Sequence, residues 1–212
     1  MNIAVIGTGN MGGGLARALV KSGYGVAVAS RDPANAKRLV GELGATAVTA
    51  DSARTAAANA DVIFLAVPFD QAADVARSLG DIGEKILVDM SNSLAADYMS
   101  LTIGHSTSAA EVIAAAVPDA RLVKAFNTIL AQVLAEGGDF GDHKAQVLVA
   151  GDDDDAKTVV SQIAQAIGFD AMDAGPLKNA RYLEPVAEQG IQFAYGLGHG
   201  VQIAPVWIKR AA

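Results

Sequence analysis

The 212-residue sequence contains no cysteine. Disulfides, thiolate metal centres and cysteine nucleophiles are therefore excluded. Basic residues are in deficit, with 16 Lys and Arg against 23 Asp and Glu, a formal charge of −7. No basic face is available for nucleic acid or for an anionic membrane surface. Long hydrophobic runs are missing too. The longest useful one, Val62 to Phe69, has eight residues, whereas a membrane span needs ~18. No basic segment followed by an apolar core opens the chain, so the expected location is cytoplasmic. The three histidines, His105, His143 and His199, fall in predicted loops or near a helix end without metal-ligand spacing, and they read as surface residues.

Alanine is plentiful, with 43 copies in a sequence that is 51% AVILMFWYC. Alanine packs helices closely and says little about lipid. The length allows one domain, or one domain and a small lobe, with a core of its own. Bulky apolar runs predict strands at residues 2–6, 25–29, 46–49, 62–67, 85–90, 121–125, 146–150 and 168–172. Helical patterning predicts helices at 11–21, 33–42, 69–79, 107–116 and 130–135, with a further one before residue 62 capped by Asp51 or Ser52. Residues 151–167 open with four aspartates and continue as an amphipathic helix. Residues 179–197 read as mostly helical, with Pro185 and Gly190 bending or interrupting them. Residues 91–106 lack periodicity and form a long loop, a length that points to function. Strand and helix alternate, which predicts an α/β, Rossmann-type, doubly wound and mainly parallel sheet. We expect a dinucleotide-binding domain over 1–119 and a smaller C-terminal α/β lobe over 120–212.

The most informative segment is Gly7-Thr8-Gly9-Asn10-Met11-Gly12, a G-x-G-x-x-G between the first strand and the first helix. The first glycine permits a tight turn, the second clears room for a pyrophosphate, and the third lets helix and strand pack closely. The helix N-terminus then presents free N–H groups to phosphate. At the end of the second strand, NAD-binding chains usually place an acid that binds the ribose 2′-hydroxyl. Here Ser30-Arg31-Asp32 stands instead. A hydroxyl and a guanidinium suit a 2′-phosphate, and arginine also stacks on adenine. Lys37 or Arg38 would add a second positive charge, and Asp32 would cap the following helix. NADP(H) is the expected cofactor.

Further segments extend the pattern: Ser30-Arg31-Asp32-Pro33, Ala66-Val67-Pro68-Phe69, Val88-Asp89-Met90-Ser91-Asn92, Val123-Lys124-Ala125-Phe126-Asn127-Thr128, Ala150-Gly151-Asp152-Asp153 and Asp173-Ala174-Gly175-Pro176-Leu177. With the glycine loop, and in this order, they resemble the NADPH-dependent oxidoreductases of the coenzyme F420 type, whose relatives include the reductase domains of STEAP ferric reductases. Asp89-Met90-Ser91-Asn92 and Phe126-Asn127 look closer to the STEAP-type and general bacterial members than to the archaeal ones. The resemblance implies a nicotinamide at the carboxyl ends of the strands, facing a flat redox partner, coenzyme F420 or FMN/FAD. It also implies that Ala66, Val67 and Pro68 line the cofactor and that Ser91, Asn92, Phe126 and Asn127 sit near the nicotinamide. Gly175-Pro176-Leu177 would form the opposite wall.

Hydride transfer between two stacked rings needs no acid–base side chain when solvent supplies the proton, and no catalytic residue is assigned. Lys124 is expected to reach solvent from a strand end, with neutralisation of an anionic acceptor ring as the alternative. Asp152 to Asp155 read as helix capping in preference to a metal site. Tyr195 and Trp207 read as core or dimer packing, and a homodimer is expected to cover the C-terminal segment. Two other functions fit the same motifs. One is an NADPH-dependent reductase of a small carbonyl, imine or quinone, with His105, Lys124 or Tyr195 as proton donor. The other is a non-catalytic sensor of the NADPH/NADP ratio.

Overall fold

The computed structural model describes residues 1–210. Eight strands form one sheet in the order β3-β2-β1-β4-β5-β6-β7-β8. They are β1 (Asn2–Ile6), β2 (Gly25–Ala29), β3 (Ala47–Thr49), β4 (Val62–Leu65), β5 (Ile86–Asp89), β6 (Arg121–Lys124), β7 (Gln146–Gly151) and β8 (Asp170–Asp173). The first six are parallel, and β7 pairs antiparallel to β6, with Lys124 opposite Ala150. β8 then runs parallel to β7.

The apolar strand runs exist because both sheet faces are covered. On β1, Ile3 and Val5 face one core while Ala4 and Ile6 face the other. The first core takes helices α1 (Asn10–Lys21), α2 (Pro33–Leu43), α6 (Ala131–Glu136) and α7 (Asp154–Ala166). The second takes α3 (Ala53–Ala58), α4 (Phe69–Ser78) and α5 (Ala109–Ala116). Small side chains fill much of it: Ala56, Ala57, Ala72, Ala76 and Ala110 are all buried there. That is where the alanine content goes. Phe126 anchors the larger core edge-on between Phe64 and Phe169, at centroid separations of 5.9 and 6.4 Å.

Among the described residues, side-chain caps set four of the eight α-helix starts. Asp32 accepts from the Ala34 amide at 2.9 Å, and Ser52, not Asp51, caps α3. Ser108 caps α5, its hydroxyl accepting from the Glu111 amide and donating to the Glu111 carboxylate. Helix α8 (Ala180–Ile191) follows one turn of 3-10 helix, runs unbroken through Pro185 and Gly190, and then widens into a π-helical turn over Gln192–Gly196. The interruption expected at Pro185 or Gly190 is absent; beside Pro185 the Leu183 carbonyl accepts from Asn127, and Glu184 is anchored in the interior. Among the described residues, no helix is long and apolar enough to cross a membrane.

Two of the four aspartates after β7 are absorbed by structure. Asp152 accepts from the Leu177 amide, and Asp153 caps α7 while pairing with Arg121 through both carboxylate oxygens, at 2.7 and 2.8 Å. The Arg121 guanidinium, with the Ala156 amide, holds the Asp153 carboxyl well below its ordinary 3.8. A depressed carboxylate stabilises the fold above its unfolded value and loses that contribution as pH falls through the folded one. Arg121→Gln should therefore lower the melting temperature at pH 7, and the gap to wild type should close as the pH drops below about 4. A gap that stays constant into strong acid contradicts the pairing.

Candidate functional site

The sheet order reverses between β1 and β4, so a crevice opens beyond their carboxyl ends, where ligands of such sheets bind. The glycine loop enters it from β1. The Gly7 amide donates to Ala29 of β2, and the Ala66 amide donates to Ile6. Three segments are thereby fixed to one another at the edge.

The three motif glycines differ in what surrounds them. Gly7 has φ +111°, and a Cβ there would lie 2.2 Å from the Ala66 carbonyl oxygen. A Cβ on Gly12 would lie 2.1 Å from the Gly7 carbonyl oxygen. Both are glycine because the polypeptide leaves no room. Gly9 is exposed, and a Cβ there would meet nothing within 4 Å. Packing does not explain Gly9, whose surroundings leave open space beside the loop. Gly9 also leaves the α1 N-terminus without a side-chain cap, and the first turn holds no acid. That helix end is free to bind an anion.

Beside the loop, Thr8 donates its hydroxyl to Ser30 at 3.0 Å. Arg31 is exposed and donates only to Gln71, at 3.4 Å. Arg38 is engaged with Glu42 at 3.3 Å, whereas Arg31 and Lys37 have no acidic partner among the described residues. Asn10 is exposed at the start of α1, and Met11 packs partly on the core. Ala66 and Val67 are half-buried and Pro68 is exposed, forming the turn into α4.

Farther along the edge, Asn92 and Asn127 hold each other. The Asn92 amide donates to the Asn127 carbonyl, and the Asn127 amide donates to Asn92 Oδ1, both at 2.9 Å. The Asn127 amide also donates to the Leu183 carbonyl at 3.1 Å. Asn127 Oδ1 and Thr128 Oγ1 are buried without a partner. A buried acceptor left alone costs about 1–3 kcal/mol, and a ligand amide or hydroxyl donor would relieve it. Ser91 spends its hydroxyl on Asp89 at 2.7 Å, and the Phe126 ring is wholly inside the core with φ +64°. Neither side chain leaves a free polar group at the edge.

Three expectations need correction. Lys124 reaches neither solvent nor a cleft: it is 0% exposed and is bound to Asp89 and Glu184 at 2.8 and 2.9 Å. The strand after it is buried on both faces, so its side chain had to be neutralised inside. Gly175-Pro176-Leu177 does not face the crevice. Because β7 and β8 run antiparallel to β6, the segment after β8 lies beside Gly151 and Asp152, at the amino-terminal edge of the parallel strands. Tyr195 and Trp207 are more than half exposed and so are not core residues; Tyr195 donates to Gln132 at 3.4 Å.

The wall that does stand beside Asn127 comes from α8 and the chain after it. An open, mainly apolar groove of about 530 Å³ is lined by Thr128, Leu130, Val186, Phe193, Ile203 and Trp207, among others. Sequence patterning did not single out Val186 or Phe193, because α8 and the turn after it meet this edge only through tertiary packing. His199 also borders the groove, while His105 and His143 are exposed elsewhere.

Comparison with known proteins is consistent with this geometry. A family model for NADP oxidoreductase, coenzyme F420-dependent, matches residues 2–93. The F420-dependent NADP reductase of Methanothermobacter thermautotrophicus is 34% identical over 204 residues, covering 88% of this chain and 86% of that protein. The chain belongs to this family of NADP-dependent oxidoreductases. Rat metalloreductase STEAP3 is also 34% identical, over 184 residues, which is 87% of this chain but 36% of STEAP3. The chain thus spans about a third of that relative. The structure of a candidate F420-dependent NADP reductase from Arthrobacter sp. FB24 superposes with a TM-score of 0.88 at 28% identity, covering 99% of this chain and all of that one.

The glycine geometry yields a direct test. Gly12→Ala should cost about 1–3 kcal/mol or more through overpacking, while Gly9→Ala should stay within about 1 kcal/mol of wild type. Urea unfolding of the two variants measures both. Equal losses contradict the reading of Gly9 as open to a ligand.

Proposed function

We propose that this chain binds NADPH at the crevice and passes hydride to a flat redox partner held in the groove, with coenzyme F420 the leading acceptor. The observation that carries the reading is adjacency. Asn127 and Thr128 both carry a buried, unpartnered oxygen, and Thr128, next in the chain to Asn127, lines the apolar groove. A nicotinamide at the Asn92–Asn127 pair and a planar ring on the groove would lie face to face.

In this reading Gly7 to Gly12 receive the pyrophosphate, with Gly9 giving the approach and the α1 amides the bonds. Thr8 holds the Ser30 hydroxyl, and Ser30, Arg31 and Lys37 bind the 2′-phosphate. Ala66, Val67 and Pro68 back the dinucleotide, and Ser91, Asn92, Phe126 and Asn127 fix its nicotinamide end. The bound dinucleotide supplies a hydride, two electrons with their proton, from its nicotinamide. The protein orients the two rings and excludes water between them, which is most of what such a transfer requires.

Anaerobic mixing of the protein with NADPH and, in parallel, F420, FMN or FAD tests the acceptor, with NADH as control. Bleaching of F420 by NADPH is expected. Turnover with flavins alone overturns the deazaflavin assignment, and silence in every well with NADPH still bound overturns hydride transfer. Arg31→Ala should weaken NADPH by about 1–3 kcal/mol, the worth of a charge-assisted contact, and leave NADH unchanged. Equal weakening of both cofactors contradicts the 2′-phosphate assignment.

A further inference from the structure

Directly beneath the Asn92–Asn127 pair lies a charged cluster that no step above uses. Lys124 and Asp89 are 0% exposed and Glu184 is 1% exposed. The Lys124 ammonium donates to Asp89 Oδ2 at 2.8 Å, to Glu184 Oε1 at 2.9 Å and to the Ser91 carbonyl. All three of its protons have an acceptor. Asp89 Oδ1 accepts from the Ser91 amide and hydroxyl at 2.8 and 2.7 Å. Glu184 Oε2 accepts from the Ser93 hydroxyl at 3.1 Å and the Ala109 amide at 3.0 Å, and Oε1 accepts from the Ala110 amide at 3.3 Å. The second carboxylate, which the lone ammonium does not balance, thus rests on the N-terminus of α5.

Burying three charges is a poor way to gain stability, because apolar residues of similar size usually serve as well or better. What the cluster does gain is register. Ser91 and Ser93 flank Asn92, Lys124 lies three residues before Asn127, and Glu184 follows Leu183, whose carbonyl accepts from Asn127. Every segment that carries or contacts the asparagine pair is therefore tied to one ammonium. The same tie holds α8, which brings Val186 to the groove.

We infer that Lys124, Asp89 and Glu184 are positioning residues for hydride transfer: acting through Asn92, Asn127 and α8, they fix the nicotinamide end of the cofactor site against the acceptor groove. The inference rests on the cofactor reading above. It requires that loosening the cluster disturb recognition of the nicotinamide while sparing the distant phosphate loop.

Two variants test it. Glu184→Gln keeps the shape and removes one charge. Asp89→Asn/Lys124→Met removes one charge of each sign, keeps an acceptor for Ser91 and leaves Glu184 on its helix amides, so it decides the matter if the first does not fold. Each is titrated with NADPH and with adenosine 2′,5′-bisphosphate, which lacks the nicotinamide, and its melting temperature is recorded. The expected result is NADPH weakened by about tenfold or more, the scale of one lost hydrogen bond, with the bisphosphate unchanged. A folded variant in which both ligands weaken alike, or neither does, overturns the proposal. If wild type binds neither ligand, the cofactor reading falls and this proposal with it.

Discussion

The site depends first on a steric constraint. The Ala66 carbonyl occupies the place where residue 7 would carry a Cβ, and the Gly7 carbonyl occupies the same place for residue 12. Two contacts of this closeness lock the end of β1 against the end of β4 and against the first turn of α1. Because β1 and β4 are the strands between which the sheet order reverses, the lock sits at the mouth of the crevice. The uncapped helix end, the Ser30–Arg31 strand end and the turn at Ala66 to Pro68 are positioned by it. Only the middle glycine of the motif is free of packing duty.

The second organising element is the reversal at β7. Had the chain continued in parallel, the segment after β8 would have emerged at the crevice. Running antiparallel, it emerges at the opposite edge, and α8 must travel back along the sheet to reach the asparagine pair. Glu184 marks the point where that helix is seized by the interior, on Lys124 and the α5 amides. The groove beside Asn127 exists because α8 and the following π-helical turn end there. The crevice edge is thus built by local sequence, and the groove beside it by a helix delivered from far along the chain.

That division explains what could be read in advance. Strands with bulky runs bounded by glycine, such as Asn2–Ile6 and Gly25–Ala29, are legible because a strand buried on both faces leaves no ambiguity of pattern. The glycine loop and Ser30-Arg31 are legible because their chemistry is set by residues a few positions apart. The orientation of β7 is not, since an apolar strand reads the same in either direction. Lys124 was misplaced for a related reason: a lysine in a short strand ordinarily reaches water, and its partners Asp89 and Glu184 lie 35 and 60 residues away. Nothing near Glu184 in the sequence signals that it is buried. Pro185 predicts a bend or an interruption, and α8 runs through it uninterrupted, with Leu183 and Glu184 held by bonds to distant segments.

The central claim is direct transfer between two rings meeting at Asn127. A single anaerobic turnover with NADPH deuterated at the nicotinamide C4 position, with coenzyme F420 as acceptor and mass analysis of the reduced deazaflavin, addresses it most directly. The account predicts that deuterium appears on the acceptor ring carbon when the label occupies the transferred face. A reduced acceptor that carries only protium from water, whichever face was labelled, would contradict it.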